Sequence, residues 1–189
     1  MSIATHEVLN QSTPWSGVNL YDTNRPLQDA LHCHLPQFDE RALRTLGEQA
    51  GSAAMQLHAR LANLHRPVLK THDRFGQRVD QVEFHASYHA LLGAALGHGL
   101  HGAPWRQGPG AHVRRAAAFM LFTELEPSVL CPVSMTYAVT PALRANPALH
   151  AAWSVKLAAM KVSTDAAMMT VTGKNKLTLN DVGGGMCHG

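Results

Sequence analysis

Hydrophobic residues recur every three or four positions between residues 39 and 66, which is the spacing of one face of an α-helix. Asp39 is a residue type that caps helix N-termini, and Pro67 cannot continue a helix. We therefore predict one continuous helix between Asp39 and Pro67. Its apolar stripe consists of Leu43, Leu46, Ala50, Ala54, Leu57, Leu61 and Leu64.

Two glycines interrupt this stripe. Gly47 and Gly51 lie one helical turn apart, and each lowers the intrinsic stability of a helix by about 1 kcal/mol. Because glycine has no side chain beyond hydrogen, the pair predicts that a second helix approaches closely at this point.

The same periodicity predicts further helices, which proline and glycine separate. They cover about residues 26–34, 86–100, 111–126, 133–144 and 147–160. In the helix over 111–126 the inward positions are Val113, Ala117, Met120, Leu121 and Leu125. With alanine and leucine abundant and aromatic residues at 6%, the fold class is predicted to be mainly α.

One short stretch has a different pattern. Val68 and Leu69 precede a turn signal at residues 73–76, and Val79 and Val82 follow it. Two short apolar runs around such a turn indicate a β-hairpin. We predict a single small hairpin within residues 68–84.

The N-terminal 25 residues are polar and rich in turn formers, yet they contain scattered apolar side chains. We predict an extended arm that packs on another surface, either of its own domain or of a partner subunit. The apolar contacts would come from Val8, Leu9, Trp15, Val18, Leu20 and Tyr21.

The C-terminal end differs in composition from the body. Before residue 155 the chain has eleven arginines and one lysine, and afterwards it has four lysines and no arginine. The predicted organisation is an arm with a short helix at 1–38, a helical domain at 39–160 and a divergent, disordered tail at 161–189. An interrupted or frame-shifted reading frame would explain the change.

Composition excludes several classes of protein. The chain has 189 residues, 46% of them hydrophobic and 15% charged, as expected for a globular domain. A net charge of +3 is too small to argue nucleic-acid binding. The sequence has no apolar run of membrane-spanning length, no signal peptide and three cysteines without framework spacing, so we expect a cytoplasmic protein with reduced thiols and no membrane partner.

Residues 128–143 form an uncharged segment that contains proline, threonine, serine and Cys131. Such a helix is expected to be buried against something partly polar: a ligand, a cofactor or a neighbouring helix. Cys131 has no pattern that links it to a base, so we favour a small buried hydrophobe over a nucleophile.

Thirteen histidines raise the alternative of a metal-binding helical protein. His85 and His89 have the spacing of two ligands on one helix face, but no acid lies between them. His32, Cys33 and His34 are adjacent and would point about 100° apart on a helix. Surface or hydrogen-bonded histidines are therefore favoured, and we assign no metal ligand. Arg114 and Arg115 are interpreted as a solvated face.

Three blocks in order carry a family resemblance. Residues 5–21 (THEVLNQSTPWSGVNLY), 59–92 and 119–143 (FMLFTELEPSVLCPVSMTYAVTPAL) resemble the N-terminal part of the AidB-type adaptive-response flavoproteins, a branch of the acyl-CoA dehydrogenase family. The resemblance covers about residues 5–157. It implies an N-terminal helical domain that is followed, in the family, by a β-domain and a C-terminal four-helix bundle.

The resemblance also implies chemistry. Family members hold FAD between the β-domain and the C-terminal bundle, form homotetramers, bind DNA through a C-terminal region and are linked to protection against DNA alkylation. The helix that matches residues 128–143 lines the acyl pocket in related dehydrogenases. By this resemblance Met135, Thr136 and Thr140 are the candidate pocket-lining residues, with packing against neighbouring helices as the alternative.

The chain departs from the family at the flavin block. Met169 and Thr170 are not followed by the glutamate of that block, and no Gly-Ser-Asp comes after them. We therefore assign no catalytic or cofactor-binding residue, and we expect neither FAD binding nor oxidoreductase activity from this chain alone. The favoured hypothesis is a truncated N-terminal helical domain of an AidB-like protein, and the alternative is a non-catalytic module that docks on full-length relatives.

Overall fold

The computed structural model describes residues 5–159 and confirms a mainly α fold with one small sheet. The helices of this part of the chain are α1 (Leu20–Thr23), α2 (Arg25–His34), α3 (Arg41–Gly51), α4 (Ala53–Leu64), α5 (Ala86–Gly97), α6 (Ala111–Leu125), α7 (Leu130–Ala142) and α8 (Pro147–Leu157). There are also two 3₁₀ turns in this part of the chain: Ala103–Arg106 precedes α6, and Leu143–Ala145 directly follows α7. The predicted tail at 161–189 lies outside the described residues.

The core lies where α3 packs on α6 and α4 packs on α5. Leu46 of α3 and Leu121 and Phe122 of α6 are at most 1% exposed. Complete burial of side chains of this size contributes about 1.5–3 kcal/mol each. Met120, which the periodicity predicted to face inward, is instead 56% exposed, because α6 turns that side away from α3.

The predicted helix between Asp39 and Pro67 is in fact two helices. Ser52 has extended dihedral angles (φ −69°, ψ 146°), which end α3, and its hydroxyl accepts a hydrogen bond from the Met55 N–H at 3.3 Å, which begins α4. The carbonyl of Gly51, free of a helical partner, accepts a hydrogen bond from the Gly17 N–H at 2.7 Å. The predicted apolar stripe therefore holds in α3 but not in α4, where Leu57 and Leu64 are 54% and 63% exposed and Met55 and Ala59 are buried instead.

Helix α3, the first of these two helices, also begins later than predicted. Glu40, rather than Asp39, occupies the cap position of α3, and its side chain makes no capping hydrogen bond. The Asp39 carboxylate still accepts the backbone N–H of Arg41 at 3.0 Å and binds the Arg41 guanidinium. The aspartate therefore acts one residue outside the position that the sequence suggested.

The end of the N-terminal arm approaches α3 at its glycines: Val18, before α1, lies against Gly51, and the short helix α1 lies against Gly47, so the predicted approach of a second helix holds at Gly47 only. A Cβ atom at Gly47 would lie 2.6 Å from the Tyr21 nitrogen, and one at Gly51 would overlap the carbonyl oxygen of Val18. This close contact buries Leu20 and Tyr21, which are 1% and 0% exposed.

The arm divides into two parts with different environments. Its end is fixed by Asn19, whose side chain accepts the Tyr21 N–H at 3.0 Å and donates to the Arg44 carbonyl at 3.0 Å. Its earlier part carries Val8, Leu9 and Trp15, which remain exposed in the described chain. Packing of the arm on its own domain therefore holds for its last residues, and contact of the earlier part with a partner subunit stays a prediction.

The predicted hairpin is confirmed. Strands β1 (Val68–His72) and β2 (Arg78–Glu83) pair antiparallel, with Val68 opposite Glu83 and Leu69 opposite Val82. Asp73 forms the turn by accepting the backbone N–H groups of Phe75 and Gln77. Every strand residue is exposed, so the hairpin projects from the helices that it connects.

The last two helices agree with the sequence apart from their ends. Helix α7 begins at Leu130, three residues before the predicted start, with Pro132 in its first turn, where proline is tolerated. Helix α8 begins at Pro147 as predicted. Within residues 5–159 no helix combines the length and the apolar character needed to cross a membrane.

We predict that Gly51→Ala destabilises the protein although alanine favours helices. The new Cβ would overlap the Val18 carbonyl, so the arm must leave α3, at a cost of about 3 kcal/mol. Gly97→Ala is the matched control, because a Cβ there meets nothing within 4 Å; it should stabilise by about 0.5–1 kcal/mol. Urea unfolding followed by circular dichroism measures both, and equal effects would contradict the arm contact.

Candidate functional site

The start of α7 is fixed by a buried carboxylate. Glu126, 2% exposed, lies between α6 and α7 and accepts hydrogen bonds from the Ser128 hydroxyl at 2.7 Å and the Val129 N–H at 3.2 Å. The side-chain amide of Asn63, at the end of α4, donates to the other carboxylate oxygen of Glu126 at 3.2 Å. One acidic group therefore joins α4, the α6–α7 turn and α7.

Helix α7, which contains most of the uncharged segment, has two distinct sides. Leu130, Val133, Thr136 and Thr140 are buried. The opposite side bears Cys131, Met135, Ala138 and Ala142, which we call the exposed stripe of α7. These residues follow one another at intervals of four, three and four, as one helix face does.

The structure separates the three candidate pocket residues. Met135 is 67% exposed, whereas Thr136 and Thr140 are 6% and 2% exposed. The Thr136 hydroxyl donates to the Pro132 carbonyl at 3.2 Å, and the Thr140 hydroxyl donates to the Thr136 carbonyl at 3.1 Å. Both hydroxyls thus donate within their own helix, and only Met135 faces outward.

Thr140 packs closely against the loop before the first 3₁₀ turn. A Cβ atom at Gly102 would lie 2.9 Å from the Thr140 hydroxyl and 2.5 Å from the carbonyl oxygen of Leu157 in α8. The inner side of α7 therefore contacts other parts of the described chain, as the alternative interpretation of the threonines expected. The assignment of all three residues to a pocket stays a prediction.

Cys131 is exposed, which corrects the prediction of a buried cysteine. It belongs to the exposed stripe of α7 and lies near the Tyr88 phenol, whose pKa is raised by burial and by the neighbouring Glu126 and Cys131. The thiol therefore lies on an uncovered surface of α7.

A cation–aromatic cluster holds the middle of α7 against α6. The Arg115 guanidinium lies 3.8 Å from the ring centroid of Tyr137, and the Tyr137 hydroxyl is 2.8 Å from Nδ1 of His112. The Trp105 indole N–H donates to the Tyr137 carbonyl at 2.9 Å, and the Arg144 guanidinium lies 5.2 Å from the Trp105 ring. This cluster has no local signal in the sequence, because its members come from four separate elements.

The two histidines with metal-ligand spacing, His85 and His89, occupy structural positions. His85 is the N-cap of α5, where its Nδ1 accepts the Ser87 N–H at 3.2 Å, and its ring stacks on His65 at 4.6 Å. His89 lies beside the rings of Phe84 and Tyr88. Among the described residues no three His, Cys, Asp or Glu side chains converge on a point that could hold a metal ion.

The exposed stripe of α7 and the buried Glu126 had only weak signals in the sequence. The exposed stripe of α7 was visible as an uncharged helix face, but its direction depends on what α7 packs against. Glu126 was predicted only as the last residue of the helix over 111–126, before Pro127, and no feature of the sequence indicated that its carboxylate is buried.

Comparisons with known proteins place this geometry in context. The family model of the adaptive response protein AidB N-terminal domain matches residues 10–162. The putative acyl-CoA dehydrogenase AidB of Escherichia coli (strain K12) is 37% identical over 156 residues, which are 81% of this chain and 29% of that protein. The chain thus corresponds to less than a third of the length of this relative.

Two solved structures are similar in fold. The apo form of Bd2924 superposes with a TM-score of 0.72 at 25% identity, over 82% of this chain and 32% of that chain. The Caenorhabditis elegans ACDH-11 in complex with C11-CoA superposes with a TM-score of 0.70 at 21% identity, over 85% of this chain and 29% of that chain. The second likeness shows the fold alone.

We predict that Glu126→Ala destabilises the start of α7. The substitution leaves the buried Val129 N–H without its acceptor and removes the hydrogen bonds of the more exposed Asn63 amide and Ser128 hydroxyl, at a cost of about 1–3 kcal/mol. Glu124→Ala is the control, because its hydrogen bond to Asn24 is exposed and its loss should change stability by less than about 0.5 kcal/mol. Chemical denaturation tests both, and a neutral Glu126→Ala would refute the structural role of the carboxylate.

Proposed function

The chain belongs to the adaptive response protein AidB N-terminal domain family, and on that premise we propose that it supplies one helical wall of an acyl-binding pocket in an FAD-dependent acyl-CoA dehydrogenase. The observation that carries the proposal is the exposed stripe of α7. This stripe is uncharged and faces outward from a helix that is fixed on its other side.

The chemistry of the stripe suits an acyl chain. Met135 and Ala138 offer flexible and small apolar surface, and methionine adapts to ligands of irregular shape. The solved ACDH-11 structure contains C11-CoA, a fatty acyl ligand of the kind that such a wall would contact. Support also comes from Glu126 and the Arg115–Tyr137 contact, which hold α7 in place without adding charge to its outer face.

The exposed stripe does not fit the polar parts of a flavin. It offers neither a positive charge for a pyrophosphate nor side-chain amides for the carbonyl groups of the flavin ring. We therefore propose α7 as a wall for the acyl chain, and we assign flavin binding to other regions of a complete family protein.

A chimera tests the proposal directly. Residues 10–157 of this chain would replace the matching segment of E. coli AidB, and dye-linked acyl-CoA dehydrogenase activity and FAD content would be measured. We predict that Met135→Arg in the chimera lowers kcat/KM for a long-chain acyl-CoA about tenfold or more, because an arginine in the wall must lose its hydration when the acyl chain binds. The FAD content should stay unchanged.

Met120→Arg is the matched control. Met120 is 56% exposed on α6 and Met135 is 67% exposed on α7, so both substitutions add the same charge to a solvent-facing methionine. Equal loss of activity in the two chimeras would contradict the assignment of the exposed stripe of α7. Loss of FAD in the Met135→Arg chimera would show instead that the residue supports cofactor binding.

A second candidate function rests on the N-terminal arm. Val8, Leu9 and Trp15 are 57%, 81% and 65% exposed, whereas the end of the same arm is held against α3. Apolar side chains that are presented in this way mark a contact surface for another protein chain. We infer that the arm docks on a full-length relative and forms a mixed oligomer with it.

Co-expression with E. coli AidB, followed by affinity capture and size exclusion, measures this docking. We predict that Leu9→Ser combined with Trp15→Ser abolishes mixed oligomers, because most of the exposed apolar surface of the arm is removed. Phe75→Ser is the control, since Phe75 is 74% exposed at the tip of the hairpin. Separate elution of the two unmodified proteins would refute this second function.

A further inference from the structure

A cavity of about 230 Å³ lies between α3 and α6. The loop after α5 and the first 3₁₀ turn close one end of it. Its lining consists of Asp39, Ala42, Leu43, Leu46, His98, Gly99, Pro104, Gln107, Ala111, Arg114, Arg115 and Ala118. None of these residues belongs to the exposed stripe of α7.

The wall of the cavity is largely apolar. Leu43 and Leu46 of α3 face Ala111 and Ala118 of α6, and all four side chains are buried. The small side chains on α6 leave the space that the leucines do not fill. A volume of about 230 Å³ lies below the roughly 300–1,000 Å³ of sites for drug-sized ligands, so any occupant is small.

The charged residues of the cavity leave an excess of positive charge. In the described part of the chain, neither Arg114 nor Arg115 has a carboxylate within ion-pair distance. Asp39, the one acid in the lining, is bound by the Arg41 guanidinium at 2.6 Å. Arg114 makes a single long hydrogen bond of 3.4 Å to the Pro109 carbonyl.

The other two polar groups do not offset this charge. His98 lies 2.7 Å from the Gln49 side-chain oxygen through Nε2, and burial lowers its pKa, so its imidazole is neutral at pH 7. Burial also lowers the pKa of the Arg115 guanidinium, whose Nε donates to the Leu100 carbonyl at 2.7 Å. A half-buried cation without a carboxylate is stabilised by any anion that comes close to it.

We propose that this cavity binds a small monocarboxylate with a short apolar tail. The carboxylate accepts hydrogen bonds from Arg114 at the mouth, within the positive field of Arg115. The tail lies over the apolar floor that Leu43, Leu46 and Ala118 form. Both halves of the ligand are required, because the arginines select the anion and the apolar wall selects the tail.

Isothermal titration of the full chain with acetate, butyrate and hexanoate tests the proposal. We expect one site per chain, with binding about fourfold tighter for each added methylene, because each one is transferred from water to the apolar wall. Hexanamide, which has the tail without the charge, and inorganic phosphate, which has the charge without the tail, should bind at least about tenfold more weakly than hexanoate.

Two variants locate the site. Arg114→Gln removes the positive charge at the mouth and should weaken hexanoate about tenfold or more. Ala42→Leu, on the exposed first turn of α3, fills the mouth and should abolish binding. Arg74→Gln is the matched control, since Arg74 lies on the hairpin turn and contacts only Phe75 among the described aromatic rings.

Three results would contradict the proposed carboxylate site. No binding of hexanoate to a folded chain overturns the proposal, as does equal weakening by Arg114→Gln and Arg74→Gln. Phosphate that binds as tightly as hexanoate would show a simple anion site and refute the role of the apolar wall. None of the substituted residues belongs to α7, so the proposed acyl wall stands or fails separately.

Discussion

The contact between the N-terminal arm and the two glycines of α3 determines much of this fold. The Val18 carbonyl lies where a side chain at position 51 would be, and the Tyr21 nitrogen lies against position 47. Two glycines in a helix cost about 1 kcal/mol each relative to alanine. Burial of Leu20 and Tyr21 offsets this cost, since each side chain is almost completely removed from water. The hydrogen bond from Gly17 to Gly51 then occupies the last carbonyl of α3, and the chain turns at Ser52 into α4.

That turn is why sequence reasoning predicted the helices but not their arrangement. The stripe from Leu43 to Leu64 keeps its period through Ser52 in the sequence, but only its first half faces the core. After the break, Leu57 and Leu64 are exposed, and Met55 and Ala59 form the buried side of α4. The hairpin was predictable because Asp73 and Gly76 form a local turn that needs no distant partner. Gly47 and Gly51 correctly indicated a close approach. The identity of the approaching segment depends on contacts more than 25 positions away, which periodicity does not contain.

The candidate site shows the same division between local and distant information. The resemblance selected α7, and the absence of charge in this segment was plain from the sequence. Met135 and Thr136 are neighbours in the chain, however, and which of them faces outward depends on where α7 meets α5 and α8. Thr136 and Thr140 satisfy their hydroxyls on their own helix and can be buried at little cost. Met135 is apolar and yet exposed, which is the opposite of what polarity alone predicts.

Polar interactions explain how such an apolar face can be presented with a defined orientation. An uncharged helix that packs only through apolar contacts can rotate or slide at modest cost, because those contacts have little directional preference. In this protein Glu126 fixes the first turn of α7 through directional hydrogen bonds. Arg115 and His112 hold Tyr137 in the middle of the helix. All of these polar partners act on the sides of α7 that face the rest of the domain. The outward face therefore remains free of charge while its direction is set, which is the condition that a wall for an apolar ligand has to meet.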